Sequence, residues 1–350
     1  MVNAYCYYYG DDSWSRHARS FFGAWQKQEP VRILSWNPPS RAEAALPPSD
    51  EPSPRMPGIG LGPIELMPTV SGKPRIAFVV WETTILPRDK AMILQSMDQV
   101  WVPSTWGREV LIANGLAAAK VHVVPEGVDV DRFRPMERPH DPNRPFRFLF
   151  VGKWEERKGV ELLIRAYRKE FARTEPVELV LHAWNPYLRG FDLDRQIRRA
   201  LGLRRAPPIV ASTPIGEDAL VQLYNSCDAF VLPTRAEAWG LPITEAMACG
   251  LPVIATAYSA PLDYLDQSTG YLIDVRKLIA VRDPYFFPDG HLLGRWAQPD
   301  ERSLRKQLRR VFENRDEARE KGRQARDAVC ARWTWDHAAS RARQVLREGA

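Results

Sequence analysis

The stretch Thr234-Arg235-Ala236-Glu237-Ala238-Trp239-Gly240-Leu241-Pro242-Ile243-Thr244-Glu245-Ala246-Met247-Ala248-Cys249-Gly250 decides the reading of this chain. The apolar run before it, Ala229 to Leu232, reads as a strand. A loop carrying one carboxylate, Glu237, follows, and then a helix carries a second, Glu245, near its start. Pro242 suits the first helical turn, where its missing N–H would have been unbonded anyway. Gly250 suits the left-handed residue that closes such a helix, and Pro252 opens the next apolar run, Val253 to Ala255. A helix that begins beside a glycine-containing loop aims unbonded N–H groups and a partial positive charge at whatever sits there. Phosphate suits that position.

The two acids have distinct uses. A carboxylate accepts two hydrogen bonds and can grip the paired hydroxyls of a ribose or a sugar ring. On chemistry alone a plainer reading also stands: Glu245 complements the helix dipole and Glu237 is a solvated loop residue. With Gly-Leu-Pro inside it and Glu-Ala-Met-Ala-Cys-Gly-Leu-Pro-Val closing it, the segment resembles the E-x7-E signature of retaining nucleotide-sugar glycosyltransferases. The resemblance is to glycosyltransferase family 4 (glycosyltransferase group 1), whose fold is GT-B. It implies that Glu237 contacts hydroxyls of the donor sugar and Glu245 the ribose of the nucleotide. Trp239, Gly240 and Leu241 then fall among the donor-binding residues.

Upstream, Phe148-Leu149-Phe150-Val151-Gly152-Lys153-Trp154-Glu155-Glu156-Arg157-Lys158-Gly159 ends a strand with glycine and begins a helix with another. Gly152 allows close backbone approach, and Lys153 and Lys158 put two cations near one turn. A departing diphosphate gains charge as its bond to the sugar breaks. Fixed cations and helix N-termini stabilise that state more than the ground state. The segment is similar to the family's G-R-x4-K-G, with Lys153 where arginine is usual. That change replaces a bidentate fork with a point charge. Two exposed, solvated lysines are the plain alternative.

Apolar runs alternate with helical patterns throughout, which argues for α/β units with parallel sheets. In the first part strands are expected at 4–9, 31–36, 75–81, 99–103 and 121–125, and helices at 15–27, 87–97 and 105–114. Residues 37–73 are crowded with Pro and Gly and are expected to be little more than loop, either an acceptor-contacting lid or a disordered insertion. Four prolines between Pro135 and Pro145 suggest a linker. A second alternating series starts at Arg147. The resemblance implies two Rossmann-like domains facing across a cleft, residues 1–138 for the acceptor and 139–330 for the nucleotide sugar. Residues 331–350, opened by Arg332-Trp333-Thr334-Trp335-Asp336, would form a helix crossing back to the first domain. On chemistry alone those tryptophans are equally core anchors.

The acceptor half carries weaker signals. Tyr8-Tyr9-Gly10-Asp11-Asp12-Ser13-Trp14 stands where the family has a glycine-rich loop but holds a single glycine. Where family members often carry a histidine this chain reads Trp81-Glu82-Thr83-Thr84, which makes Glu82 a candidate catalytic residue. Gly10, Asp12, Trp14 and His182 are candidate donor or acceptor contacts. Each has an ordinary alternative, as a cap, a core aromatic or a satisfied strand histidine.

Composition bounds the rest. The 350 residues suffice for two domains, and 45% hydrophobic with 26% charged content is that of a soluble globular protein. No apolar run reaches the roughly 18 residues of a membrane span. The N-terminus lacks a secretory pattern, and the four scattered cysteines read as reduced thiols, so a cytoplasmic setting is expected. The net charge of +6 is carried by arginine-rich helices in which acids are mixed, so nucleic acid is not the expected partner. Contact with anionic lipid at the inner face of a membrane stays open. No metal is expected: Asp129-Val130-Asp131 and Asp192-Leu193-Asp194 read as caps.

The expected activity is therefore retaining, metal-independent hexosyl transfer from a UDP- or GDP-linked sugar to a hydroxyl of a glycan, glycolipid or small molecule. The nucleotide sugar acts as co-substrate and no cofactor is needed. In the mechanism usually proposed for this group, a β-phosphate oxygen helps to take the acceptor proton. The absence of an evident nucleophile–acid carboxylate pair agrees with that. The alternatives are a nucleotide-sugar epimerase or phosphorylase of the same shape, and a catalytically silent protein that binds nucleotide or glycan.

Overall fold

A computed structural model describes residues 1–10, 12–39, 51–137, 141, 143–202, 206–212 and 215–349. The chain separates into two compact units, Met1–Gly127 with Trp333–Ala350, and Val128–Arg332.

The first unit is built from β1 (Val2–Cys6), α1 (Ser13–Gln26), β2 (Val31–Ser35), β3 (Gly58–Leu61), β4 (Arg75–Phe78), α2 (Arg88–Gln95), β5 (Gln99–Val102), α3 (Thr105–Ala113) and β6 (Val121–Val123). Its six strands lie in the order β2-β1-β3-β4-β5-β6, and every pairing is parallel. Both faces are covered, as parallel sheets require. Val2, Ala4, Cys6, Ile59, Leu61, Ile76 and Phe78 pack on one side with Phe21, Phe22 and Trp25 of α1. Tyr5, Ala77, Val79 and Val100 join Met67, Val70 and Leu94 on the other.

The 37–73 stretch is not merely loop, and this corrects the sequence expectation. Residues 40–50 lie outside the described residues, but β3 is an inner strand bonded on both sides to β1 and β4. A 3-10 turn, Ile64–Thr69, then lays Met67 against it. Gly58 and Gly60 leave room for this cover. A Cβ at Gly60 would stand 2.6 Å from the Met67 sulfur, and one at Gly58 would stand 2.1 Å from the Ser71 carbonyl oxygen. The glycines that look like loop punctuation are there because the neighbouring segment packs directly on the strand.

The second unit contains β7 (Phe146–Lys153), α4 (Val160–Glu170), β8 (Val177–Trp184), α5 (Leu193–Leu201), β9 (Ile209–Ser212), α6 (Glu217–Ser226), β10 (Ala229–Leu232), α7 (Leu241–Ala248), β11 (Val253–Thr256), β12 (Tyr271–Ile273), β13 (Val275–Ala280), β14 (Arg295–Pro299), α8 (Glu301–Glu313) and α9 (Arg315–Arg332). The helices follow their sequence patterns. In α4 the residues at helical spacing, Val160, Leu163, Ile164 and Tyr167, are all buried. Asp192 and Asp300 cap α5 and α8 by accepting from backbone N–H groups. The parallel sheet runs β12-β11-β10-β7-β8-β9, so the strand order reverses between β7 and β10. That is the Rossmann order, and the crevice beyond the carboxyl ends of the two strands at the reversal is where such sheets bind ligands.

An antiparallel ribbon, β13 with β14, was not anticipated from the sequence. The unit boundary also falls earlier than the proline-rich stretch at 135–145. Residues 128–137 belong with the second unit because Asn225 donates to the Arg134 carbonyl and accepts from the Met136 N–H, while Phe133 packs edge-on against Tyr224. Residues 138–140 and 142 of that stretch lie outside the described residues.

After α9 the chain returns to the first unit as α10 (Trp335–Glu348), capped by Thr334. Ala338, Ala339, Ala342 and Val345 join the apolar cluster of α1, and Arg343 pairs with Glu29 at 2.6 Å. Three of the arginines of α8 are engaged. Arg305 and Arg309 bind Glu170, Arg309 also binds Glu175, and Arg310 binds Glu317.

Candidate functional site

The loops that leave β7 and β10 meet at the strand-order reversal. After β7, a short 3-10 turn, Glu156–Lys158, ends at Gly159, whose φ of +71° opens α4. A Cβ there would stand 2.2 Å from the Pro233 carbonyl oxygen, which belongs to the loop after β10. Only glycine allows both that backbone conformation and that approach. The loops then interlock. Arg235 N–H donates to the Arg157 carbonyl at 2.7 Å, Thr234 Oγ1 to the same carbonyl at 3.2 Å, and Arg157 Nη1 to the Ala236 carbonyl at 2.8 Å.

This interlock places Lys158 against Glu237. The lysine Nζ lies 2.8 Å from each carboxylate oxygen, and Arg157 Nη1 lies 3.2 Å from Oε2. Arg157 also pairs with Glu155 at 2.6 Å. All four side chains are buried, and Glu237 is only 2% exposed. The group is two cations and two anions. Burial alone would push the Glu237 carboxyl up, but the Lys158 and Arg157 charges and hydrogen bonds from Lys158 and Thr234 outweigh it and hold it below the usual range. Ser259 Oγ accepts from the Glu237 N–H at 2.9 Å. Ser259 has a φ of +59° and a ψ of −148°, a region that non-glycine residues rarely occupy. Backbone strain of this kind concentrates at functional positions.

Glu237 is thus neither solvated nor alone, which removes the plainer sequence reading of it as a surface acid. Lys158 is likewise not an exposed solvated lysine, since it is 8% exposed and ion-paired. Glu245 is 4% exposed on α7, and its Oε2 accepts from the Tyr224 hydroxyl at 2.8 Å. Gly240 has a φ of +105° and precedes Leu241, the first residue of α7, with Pro242 next. Trp239 is 1% exposed and packs against Tyr264, whose hydroxyl donates to the Trp239 carbonyl at 2.7 Å. Gly152 is the penultimate residue of β7, and Lys153 ends the strand with its ammonium 5.3 Å from the centre of the Phe286 ring. His182 is buried on β8 beside Val151 and shares a hydrogen bond with Ser212 at 3.1 Å.

The remaining candidates are in the first unit. Gly10 has a φ of +109°, and its carbonyl accepts from Arg19 at 2.6 Å. Asp12 caps α1, accepting from the N–H groups of Trp14 and Ser15 and from the Ser15 hydroxyl. Trp14 is half-buried against the core cluster that includes α1, and Glu82 is half-buried in the loop after β4. The structure therefore brings Lys158 and Glu237 together with Gly152 beside the lysine stem, while Lys153 stands over Phe286 and Asp12 is occupied as a helix cap.

Four contributors escaped the sequence reading: Arg157, Tyr224, Ser259 and the ribbon. The ribbon is tied to the Lys158 turn through Asp283, which is 4% exposed and accepts from the Glu156 N–H at 2.9 Å. Ala297 of β14 also donates to the Arg235 carbonyl at 3.0 Å. Beside it lies a cavity of about 480 Å³ whose lining includes Glu156, Lys277, Ile279, Arg282 and Trp296. Neither Lys158 nor Glu237 lines that cavity. Among the described residues, no cluster of three or more His, Cys, Asp or Glu could hold a metal ion. None of the described helices is long and apolar enough to cross a membrane.

Two Rossmann-like units with these strand orders define the GT-B fold. Residues 145–282 match the family described as glycosyl transferases group 1. The D-inositol 3-phosphate glycosyltransferase of Acidothermus cellulolyticus is 28% identical over 199 residues, 53% of this chain and 44% of the relative. That of Corynebacterium jeikeium is 33% identical over 168 residues, 44% of this chain and 40% of the relative. The chain thus spans less than half the length of either relative. Sucrose-phosphate synthase from Thermosynechococcus elongatus superposes with a TM-score of 0.70 at 18% identity, covering 99% of this chain and 98% of that one. HepE of Anabaena, solved with UDP-glucose, superposes with a TM-score of 0.73 at 13% identity, covering 99% of each chain.

Proposed function

We propose that this protein is a retaining, metal-independent glycosyltransferase that moves a sugar from a UDP- or GDP-linked donor to a hydroxyl of a glycan, glycolipid or small molecule. The observation that carries the reading is the buried Lys158–Glu237 pair at the β7/β10 reversal, with Glu245 eight residues further on. The family match over 145–282 and the UDP-glucose complex of a protein with this fold support it.

In this reading the diphosphate lies beyond β7, where Lys153, Lys158 and the backbone N–H groups that open α7 offset its charge. Glu237 accepts from hydroxyls of the donor sugar, and Glu245 from the ribose. The bond between the anomeric carbon and the phosphate oxygen breaks, and a new bond to the acceptor oxygen forms on the same face. The acceptor proton passes to an oxygen of the departing diphosphate. Positive charge held at that diphosphate lowers the barrier because its attraction is stronger in the transition state than before it. Acceptor binding is assigned to the first unit, with Glu82, Gly10 and Trp14 as its candidate contacts.

The test is incubation with UDP-, GDP- and dTDP-sugars in the presence of a chelator. Slow release of free nucleoside diphosphate with retention at the anomeric centre supports the proposal. Epimer formation would indicate an epimerase, and binding without turnover a silent binding protein.

A further inference from the structure

We propose that Arg157 is a positioning residue for this same reaction, holding Glu237 as a carboxylate while Lys158 turns from Glu237 to the diphosphate of the donor. The inference rests on the function proposed above and adds a residue that the sequence motif does not include. The Lys158 ammonium is taken up by both oxygens of Glu237, each at 2.8 Å. A diphosphate that recruits the ammonium therefore draws the nearest positive charge away from an acid that is 2% exposed. A buried carboxylate without a counter-ion takes up a proton, and it then loses acceptor capacity towards a sugar hydroxyl.

Arg157 is the cation that stays. Its Nη2 is fixed by Glu155 at 2.6 Å, and its Nη1 bridges the Ala236 carbonyl at 2.8 Å and Glu237 Oε2 at 3.2 Å. Its own carbonyl accepts from Arg235 and Thr234, so backbone and side chain are both tied to the loop that carries Glu237. The guanidinium is a planar fork locked by several bonds, whereas the lysine ammonium is a single charge on a flexible stem. The two cations thus divide the work: one moves to phosphate and one remains with the acid. Glu155 anchors the fork through Nη2, while Nη1 is the nitrogen that meets Glu237.

The experiment measures proton uptake when UDP or GDP binds, by calorimetry at pH 7 in two buffers of different ionisation heat. Wild-type protein is expected to bind without taking up a proton. Arg157→Gln is expected to take up about one proton per nucleotide, and Arg157→Lys to restore the wild-type value. In parallel, donor turnover by Arg157→Gln should fall about tenfold between pH 8 and pH 6, while wild type changes less than about twofold. If Arg157→Gln does not fold, the double variant Glu155→Gln/Arg157→Gln removes both members of the pair, and the same uptake is expected of it. Nucleotide binding by the variants with no proton uptake and a wild-type pH profile would overturn the role of Arg157 alone. Absence of nucleotide binding by the wild-type protein would instead overturn the functional reading, and this inference with it.

Discussion

Lys158 and Glu237 neutralise each other: the ammonium sits 2.8 Å from both oxygens of a carboxylate that is itself shut away from water. The pair joins the loop after β7 to the loop after β10, so altering either side chain takes a buried partner from the other. Ion pairs of this kind add little net stability, but breaking them from one side is costly.

Glu237→Ala is therefore expected to do two things at once. Turnover of a donor sugar should fall by about 10² to 10³, the usual effect of removing one well-placed polar group from an active site. Stability should drop by roughly 3–5 kcal/mol, because Lys158 and Arg157 lose a buried partner. Nucleotide affinity should stay within about threefold, since the released ammonium remains available to phosphate. Steady-state kinetics, denaturant unfolding and calorimetry check the three. Undiminished turnover in folded protein would take Glu237 out of the site.

Glu245→Ala should weaken nucleotide binding about 10- to 100-fold, as expected when a charged acceptor loses its bonds. Tyr224→Phe removes the hydroxyl that donates to Glu245 Oε2 and should cost less, about threefold to tenfold. Isothermal titration with UDP and GDP measures both. An unchanged dissociation constant for Glu245→Ala would refute its assignment to the ribose.

Gly159→Ala tests the interlock of the two loops. The added Cβ meets the Pro233 carbonyl oxygen at 2.2 Å on a backbone with a φ of +71°. A stability loss of at least about 1–3 kcal/mol is expected from the strained conformation alone. Urea unfolding should show it, together with weaker nucleotide binding as Lys158 moves.

The pH dependence of stability has a defined sign in each unit. In the first, burial among Phe21, Phe78 and Trp335 lowers His17 to about 3 from 6.5. Glu126 stands 3.5 Å from its Nδ1, and burial still sets the direction. Above about pH 6.5 the ring is neutral in both states and its contribution is fully present. It is lost at about 1.4 kcal/mol per pH unit as pH falls from 6.5 towards 3, because only the unfolded chain binds the proton. In the second unit, the lowered Glu237 contributes fully above its ordinary value of 4.5 and is lost as pH falls through its native value. Chemical denaturation from pH 8 to well below 4.5 reads both, and His17→Phe should flatten the limb below 6.5.

Asp283→Ala should loosen the Lys158 turn from the ribbon side. The carboxylate accepts from the Glu156 N–H at 2.9 Å, so its loss should speed hydrogen exchange across 156–158 while leaving β7 protected. Exchange unchanged at those amides would show that the ribbon does not hold the turn.

The sequence by itself determined the alternation of strands and helices, the two-unit α/β architecture, and the run from Glu237 to Gly250, because these depend on local periodicity and on turn residues with fixed conformational preferences. Gly240, Pro242 and Gly250 mark the start and end of α7 on chemistry that needs no distant partner. Tertiary structure alone decided the rest. Gly58-Ile59-Gly60-Leu61 reads as loop until Met67 and the chain at Ser71 are seen to fill the space the glycines leave. Arg157 reads as one more surface arginine until a loop nearly eighty residues later presents Ala236 and Glu237 to it. Charge pairing and close packing act through distance in space, and no spacing along the chain encodes that distance.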